Sequence, residues 1–219
     1  MTLSDWLSLL LICLLGAVSP GPSILVVLNV TLNFGRVAGI WVSFGHGIGI
    51  FLYAFLAAVG LTTLALSIPN ILVIIQTLGG LFLLWICYKV FCRPCEEFTH
   101  QYNGTSATKF QNLSSGFLIV FLNPKIAVFF FSIFSIYVTT EQPFSVQLLI
   151  AIFAGAIDML VYFTYVYLAT VKTSQRFIKK FFTRINTIVG FFFLSFALYI
   201  FAQVFKQLRS LESDITYIF

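Results

Sequence analysis

The sequence predicts an all-α integral membrane protein, with six transmembrane helices arranged as two inverted three-helix repeats whose first helices are broken. Three observations carry that expectation. Only 9% of the 219 residues are charged and 60% are hydrophobic, whereas soluble domains carry about 25% charged residues. The apolar residues gather into runs near or above the ~18–20 needed to cross a bilayer as a helix, without the two-residue alternation of a membrane β-barrel. Proline-bearing interruptions stand at matching places in the first and fourth runs. Inside lipid, such runs satisfy their own backbone only by coiling.

The first span runs from about Trp6 to Leu32 and is interrupted by Ser19-Pro20-Gly21-Pro22. The start, Met1 to Trp6, lacks a basic n-region, and no small-residue cleavage site precedes a hydrophilic domain, so this stretch is expected to be retained rather than cleaved. The second span covers about Val37–Leu66, and Pro69 opens a third that ends near Phe91. A polar segment, Arg93 to Asn112, separates it from the fourth, about Leu113–Val138, which Asn123-Pro124-Lys125 interrupts. Pro143 precedes the fifth, ending near Val171, and a basic linker leads to the sixth, about Ile185–Val204. The chain then divides into a first repeat at 1–92, a polar cytoplasmic loop at 93–113, a second repeat at 114–208 and a short C-terminal tail at 209–219.

The basic residues orient this arrangement. Arg36, Lys89, Arg93, Lys109, Lys172, Arg176, Lys179, Lys180 and Arg184 fall on one side, while the other has only Lys206 and Arg209. Cytoplasmic loops carry the excess of Lys and Arg, so the heavy side is expected inside and both termini outside. The net charge of +5 is scattered at helix ends, which suits membrane orientation and not nucleic acid as a partner. Three spans per half is an odd number, so the halves enter from opposite sides. Secondary transporters use that design and place their binding site at interrupted segments in corresponding positions.

The interruptions supply the first candidate site residues. Pro20, Gly21 and Pro22 cannot continue a regular helix, because each proline lacks an N–H and clashes with the preceding turn. The half-helix beginning after the break presents free N–H groups and partial positive charge, suited to a carboxylate. Asn123, Pro124 and Lys125 form the second break, with a cation inside an apolar run. Such a residue is functional unless it snorkels to the interface. Asp158 is the acidic residue set deep in a span. It can accept a substrate ammonium, carry a proton, or form a structural ion pair, for which Lys125 is the candidate partner. His46, in Gly45-His46-Gly47-Ile48-Gly49, can relay protons or simply bond a neighbouring helix. Its flanking glycines permit close helix packing. Asn29, Asn33, Gln76 and Asn186 read as interhelical bonds, and the phenylalanine excess as lipid-facing bulk.

No Ser/His/Asp set, HExxH, Walker A or GxGxxG pattern is present, so neither an enzyme nor an ATP-driven pump is expected from this chain alone. Cys92-Arg93-Pro94-Cys95 is a CxxC pair without a second pair to complete a zinc site. It is expected to be an incidental pair of thiols at a cytoplasmic helix end, and transport is expected to survive removal of Cys13, Cys87, Cys92 and Cys95 together.

At these motifs the chain resembles the LysE/RhtB family of amino-acid exporters. The carrying residues are Gly16 with Ser19-Pro20-Gly21-Pro22, Gly35-Arg36-Val37-Ala38-Gly39-Ile40, Gly45 and Gly49. In the second half they are Gly116, Asn123-Pro124-Lys125 with Phe129-Phe130, Gly155, Asp158, Ile185-Asn186 and Gly190. The resemblance implies a multi-pass inner-membrane carrier exporting amino acids or close derivatives as an antiporter driven by the proton motive force. It requires no cofactor and no metal. Its partners are the small-molecule substrate and the lipid bilayer, with homo-oligomerisation left open. The chain departs from the family pattern at Ser135, at Val161-Tyr162 and at Ala197. Two other readings are a thiol-disulfide electron conduit, which would want cysteines on both broken helices, and a cation or metal exporter, which would want several intramembrane carboxylates or a His cluster.

Overall fold

The structure is a computed structural model describing residues 1–19, 21–68, 70–92, 108–137, 142–171 and 174–216, without the side chains of residues 124, 174–183, 185–186 and 210–216. Among the described residues it is helical throughout and has no strand. The elements are α1 (Leu3–Val18), α2 (Pro22–Phe34), α3 (Arg36–Ser67), α4 (Ile71–Cys92), α5 (Lys109–Phe121), α6 (Pro124–Tyr137), α7 (Phe144–Thr170) and α8 (Ser174–Thr216).

Four stretches are long and apolar enough to cross a membrane: Arg36–Ser67, Ile71–Cys92, Phe144–Thr170 and Thr187–Arg209. Two bent pairs pass the same test together, α1 with α2 at 58° and α5 with α6 at 59°. Among the described residues there are thus four candidate spans by length and composition, or up to six if each bent pair is one span. Both bends fall where the prolines stand.

The two pairs also begin alike. Thr2 caps α1 and Thr108 caps α5, each in a reciprocal box with the residue three positions on, Asp5 and Gln111. Such boxes satisfy two of the amide donors a helix start leaves open. This one moves the start of α5 forward to Lys109, four residues ahead of the expected Leu113 and inside what the sequence reads as polar loop. The rest of that loop, 93–107, including Arg93 and Cys95, lies outside the described residues, as does Lys172. α8 is far longer than the expected span, because the basic linker before it is helical from Ser174.

α3 lies at the centre. It packs against α5 and α7, while α4 packs against α8. Close approach of α3 and α5 depends on glycine. A Cβ on Gly45 would stand 1.9 Å from the carbonyl oxygen of Leu113, and one on Gly116 would stand 1.9 Å from that of Val42. α3 and α7 meet the same way, with Gly47 and Gly155 each against the other's carbonyl. This is the small-residue packing on which membrane helices rely.

Two apolar clusters fill the interior. The larger joins α1, α3, α4, α5, α6, α7 and α8, and includes Leu9, Ala54, Leu83, Val120, Phe134, Ile150 and Phe193. The smaller joins α2, α3 and α7 through Val27, Val42, Tyr162 and Val166. The phenylalanines are therefore not only lipid-facing. Phe129, Phe130, Phe134, Phe193 and Phe196 are buried, whereas Phe110, Phe144, Phe191 and Phe205 are exposed.

Candidate functional site

The seam between the two apolar clusters is polar, and it holds the two helix breaks. At the first, Ser19 is extended (φ −61°, ψ 119°), as the residue before a proline must be. Extension frees the last carbonyls of α1. One of them, on Val18, accepts a hydrogen bond from the Tyr165 hydroxyl at 3.1 Å. Gly21 is extended at the start of α2, Pro22 takes the first helical position, and no side chain caps that end. Proline suits that position, where an N–H would be unpaired anyway. The first-turn amides of α2 thus remain open to a ligand.

At the second break, one side chain does two jobs. Asn123 Oδ1 accepts from the Lys125 backbone N–H at 3.0 Å, capping α6. Asn123 Nδ2 donates to Ser23 Oγ at 3.3 Å, reaching the start of α2. Lys125 makes the second link between the breaks, its ammonium donating to Ser19 Oγ at 2.5 Å. The ammonium lies 3.6 Å from where a Cβ on Gly21 would be, so the space beside Gly21 is kept by the lack of a side chain. Lys125 therefore turns inward to the first break and does not snorkel.

Across the seam, His46 Nδ1 and Asp158 Oδ2 are 2.7 Å apart, with His46 1% and Asp158 5% exposed. The reading that paired Asp158 with Lys125 is thus corrected. Its partner is His46, because α3 and α7 are pressed together by the Gly47–Gly155 contact one residue away on α3. The imidazole stacks on Tyr162, with centroids 4.2 Å apart and planes 17° apart. Its other nitrogen, Nε2, is buried and has no hydrogen-bond partner among the described residues.

These groups enclose one cavity of about 50 Å³. Lys125, Asn123, Ser19, Gly21 and Ser23 line it from the breaks, and His46, Asp158 and Tyr162 from α3 and α7. Cys13, Ile50, Ile126 and Phe129 supply an apolar wall.

Of the residues expected from the sequence, Gly21, Asn123, Lys125, His46 and Asp158 come together here. Pro22 is exposed in the first turn of α2 and shapes the break without lining the cavity. Pro124 opens α6, its side chain not described, and Pro20 lies outside the described residues. Gln76 is elsewhere, bonding the Ser135 carbonyl at 3.0 Å between α4 and α6. Ser23 and Tyr162 are additions. Tyr162 had a signal, since it lies four residues after Asp158 and so on the same helix face; Ser23 had none beyond its place next to Pro22.

The thiols are dispersed. Cys13 faces the cavity, Cys87 bonds the Gly190 carbonyl, and Cys92 is exposed at the end of α4. Among the described residues no group of three or more His, Cys, Asp or Glu side chains is placed to hold a metal ion.

A polar seam between two broken helices in an apolar bundle is a transporter's interior, and the sequence model of the LysE type translocator family matches residues 14–203. The chain belongs to that family. LysE type translocators are transporters and not enzymes. The chain is 31% identical over 129 residues to the uncharacterized membrane protein YahN of Escherichia coli, covering 57% of this chain and 56% of that one. It is 24% identical over 199 residues to an uncharacterized membrane protein of Haemophilus influenzae, covering 87% and 92%. It is 29% identical over 115 residues to a leucine efflux protein of an Enterobacter species, covering 52% and 54%. The chain thus spans little more than half the length of the first and third of these relatives. No solved structure matches it.

Proposed function

We propose that this LysE type translocator exports an amino acid or close derivative across the cytoplasmic membrane in exchange for protons. The observation that carries the reading is that a cation, Lys125, and a carboxylate, Asp158, line one cavity between two helix breaks. A zwitterion presents the complementary pair of charges. Its carboxylate fits the space beside Gly21, where the Lys125 ammonium and the open amides of α2 converge. Its ammonium fits the Asp158–His46 pair. The name of the Enterobacter relative, a leucine efflux protein, agrees with that direction and that class.

The pair also supplies a coupling logic. Carrying one shared proton, His46 and Asp158 are together neutral; without it they bear one negative charge. A substrate ammonium and a proton therefore compete for the same charge in a site from which water is largely excluded. At about 50 Å³ the cavity has room for a few waters, so a substrate enters only when its walls part.

The inverted repeat is part of the same proposal. Its support is the near-equal bends of 58° and 59°, the matching capping boxes and the reciprocal packing. α3 meets α7 and α4 meets α8, while α1 and α2 touch α7 as α5 and α6 touch α3. With six spans, both termini lie outside the cytoplasm. Reporter fusions at the C-terminus and at Lys179 should then read opposite compartments, with Lys179 inside; a cytoplasmic C-terminus would overturn the even span count.

Export itself is tested by intracellular metabolite profiling of cells overexpressing the chain, against a vector control. One amino acid should fall inside and rise in the medium. Lys125→Ala should raise the KM for that substrate by roughly ten- to a hundredfold, the value of a charge-assisted hydrogen bond of about 1.5–3 kcal/mol. No change in any amino acid or derivative would remove the reading.

A further inference from the structure

A second lined hollow lies on the outer surface of the helix bundle, away from the central cavity, and the transport proposal makes no use of it. It is a groove of about 300 Å³ between the start of α3 and the end of α7, lined by Arg36, Ile40, Phe163, Val166 and Tyr167. Its rim and floor differ in kind. Arg36, Ile40 and Tyr167 are exposed, and Val166 is buried. Four of its five lining residues are hydrophobic or aromatic, and one cation stands at its end.

That cation is held in position. Arg36 Nη2 and Nε both donate to Thr170 Oγ1, at 2.9 and 3.3 Å. The guanidinium carbon sits 4.9 Å from the Tyr167 ring centroid. Thr170 is fixed in turn, its hydroxyl donating to the Tyr167 carbonyl at 2.8 Å. A guanidinium has five N–H donors, so two engaged by Thr170 leave three for an anion. Among the described residues no ion pair involves Arg36. Most exposed arginines must be ordered before they can bind; this one is already ordered by an aromatic face and a hydroxyl.

The other basic residues at this end of the chain share the arrangement. Lys89 lies over Trp85 at 3.8 Å and Lys109 over Trp41 at 5.9 Å. Aromatic rings and basic side chains together mark the level of the lipid headgroups. An apolar channel ending at a guanidinium at that level matches one molecule. The phosphodiester sits on Arg36 and one acyl chain lies along Ile40, Phe163 and Val166.

We propose that this groove is a binding site for a single anionic phospholipid. The headgroup charge decides between phospholipids, because a zwitterionic lipid brings its own ammonium to compete with Arg36 for the phosphate. The bound lipid clamps the start of α3 to the end of α7, the two helices that carry His46 and Asp158.

The test is native mass spectrometry of the purified full chain in detergent, titrated separately with phosphatidylglycerol, phosphatidylcholine and inorganic phosphate. One phosphatidylglycerol should be retained per chain, roughly ten- to a hundredfold more tightly than phosphatidylcholine. Arg36→Gln should erase that preference. Arg36 is exposed, so the variant should fold, and an unchanged elution profile verifies it. Ile40→Trp, which fills the groove and keeps the charge, should weaken both lipids. Equal retention of the two lipids, full competition by inorganic phosphate alone, or unaltered preference in a folded Arg36→Gln chain would each overturn the assignment.

Discussion

Asp158→Asn should abolish uphill efflux while leaving a folded protein in the membrane. Asparagine is nearly isosteric, and its Oδ1 can still accept from His46 Nδ1–H across the 2.7 Å now spanned by the pair. The large cost of breaking a buried pair, about 3–5 kcal/mol, arises from leaving one charge uncompensated; here the acceptor is kept and the charge removed. What is lost is the capacity to hold the shared proton. In proteoliposomes with an imposed pH gradient, accumulation should fall to the leak rate. Substrate-for-substrate exchange, which needs no net proton movement, should survive in part. His46→Gln should share this phenotype, because the proton belongs to the pair. An Asp158→Asn variant that still accumulates substrate with unchanged pH dependence would eliminate the proton role.

Gly116→Val should produce the largest loss of folded protein of any single change considered. A Cβ at that position would meet the Val42 carbonyl oxygen at 1.9 Å and the His46 backbone nitrogen at 3.0 Å. Both are main chain, so no rotamer change relieves the clash and the helices must separate. Overpacking usually costs about 1–3 kcal/mol when side chains can yield; a main-chain clash exceeds that range. Gly45→Ala, facing the Leu113 carbonyl at 1.9 Å, should behave similarly. Gly60→Ala is the control, since a Cβ there meets nothing within 4 Å. Fluorescence-detected size exclusion and thermal stability in detergent should show loss for the first two and none for the third. Normal yield of Gly116→Val would mean that α3 and α5 are not in main-chain contact.

Hydropathy and proline placement made the helices and their two breaks legible, since both follow from local chemistry. The partnership of Asp158 was not legible. His46 stands 112 positions away, and only the fold brings α3 against α7. The clue lay in glycine: Gly47 follows His46, Gly155 precedes Asp158 by three, and the two glycines meet each other's carbonyl. Two glycine-faced helices are the ones able to meet closely, and the polar residues among those glycines are then forced together. Lys125 could be placed at the second break from the sequence, but its turn toward Ser19 could not, since only the fold brings the two breaks together. The early start of α5 was readable as Thr108-x-x-Gln111. Ser23 became a site residue only because Asn123 reaches it from another helix.

The division of the interior into two apolar clusters has a mechanical consequence. Within each cluster, side chains interlock and sliding would expose hydrocarbon. Among the described residues, the hydrogen bonds that join the two clusters are polar side-chain bonds at the helix breaks: Lys125 to Ser19, Asn123 to Ser23 and Tyr165 to the Val18 carbonyl. Water or a substrate can replace each of these bonds. α3 and α7 cross this seam unbroken, and their glycines at the crossing leave no bulky side chain to resist a small change of tilt. The chain is thus built as two apolar blocks on a common pair of struts, with the polar layer at the proposed substrate cavity.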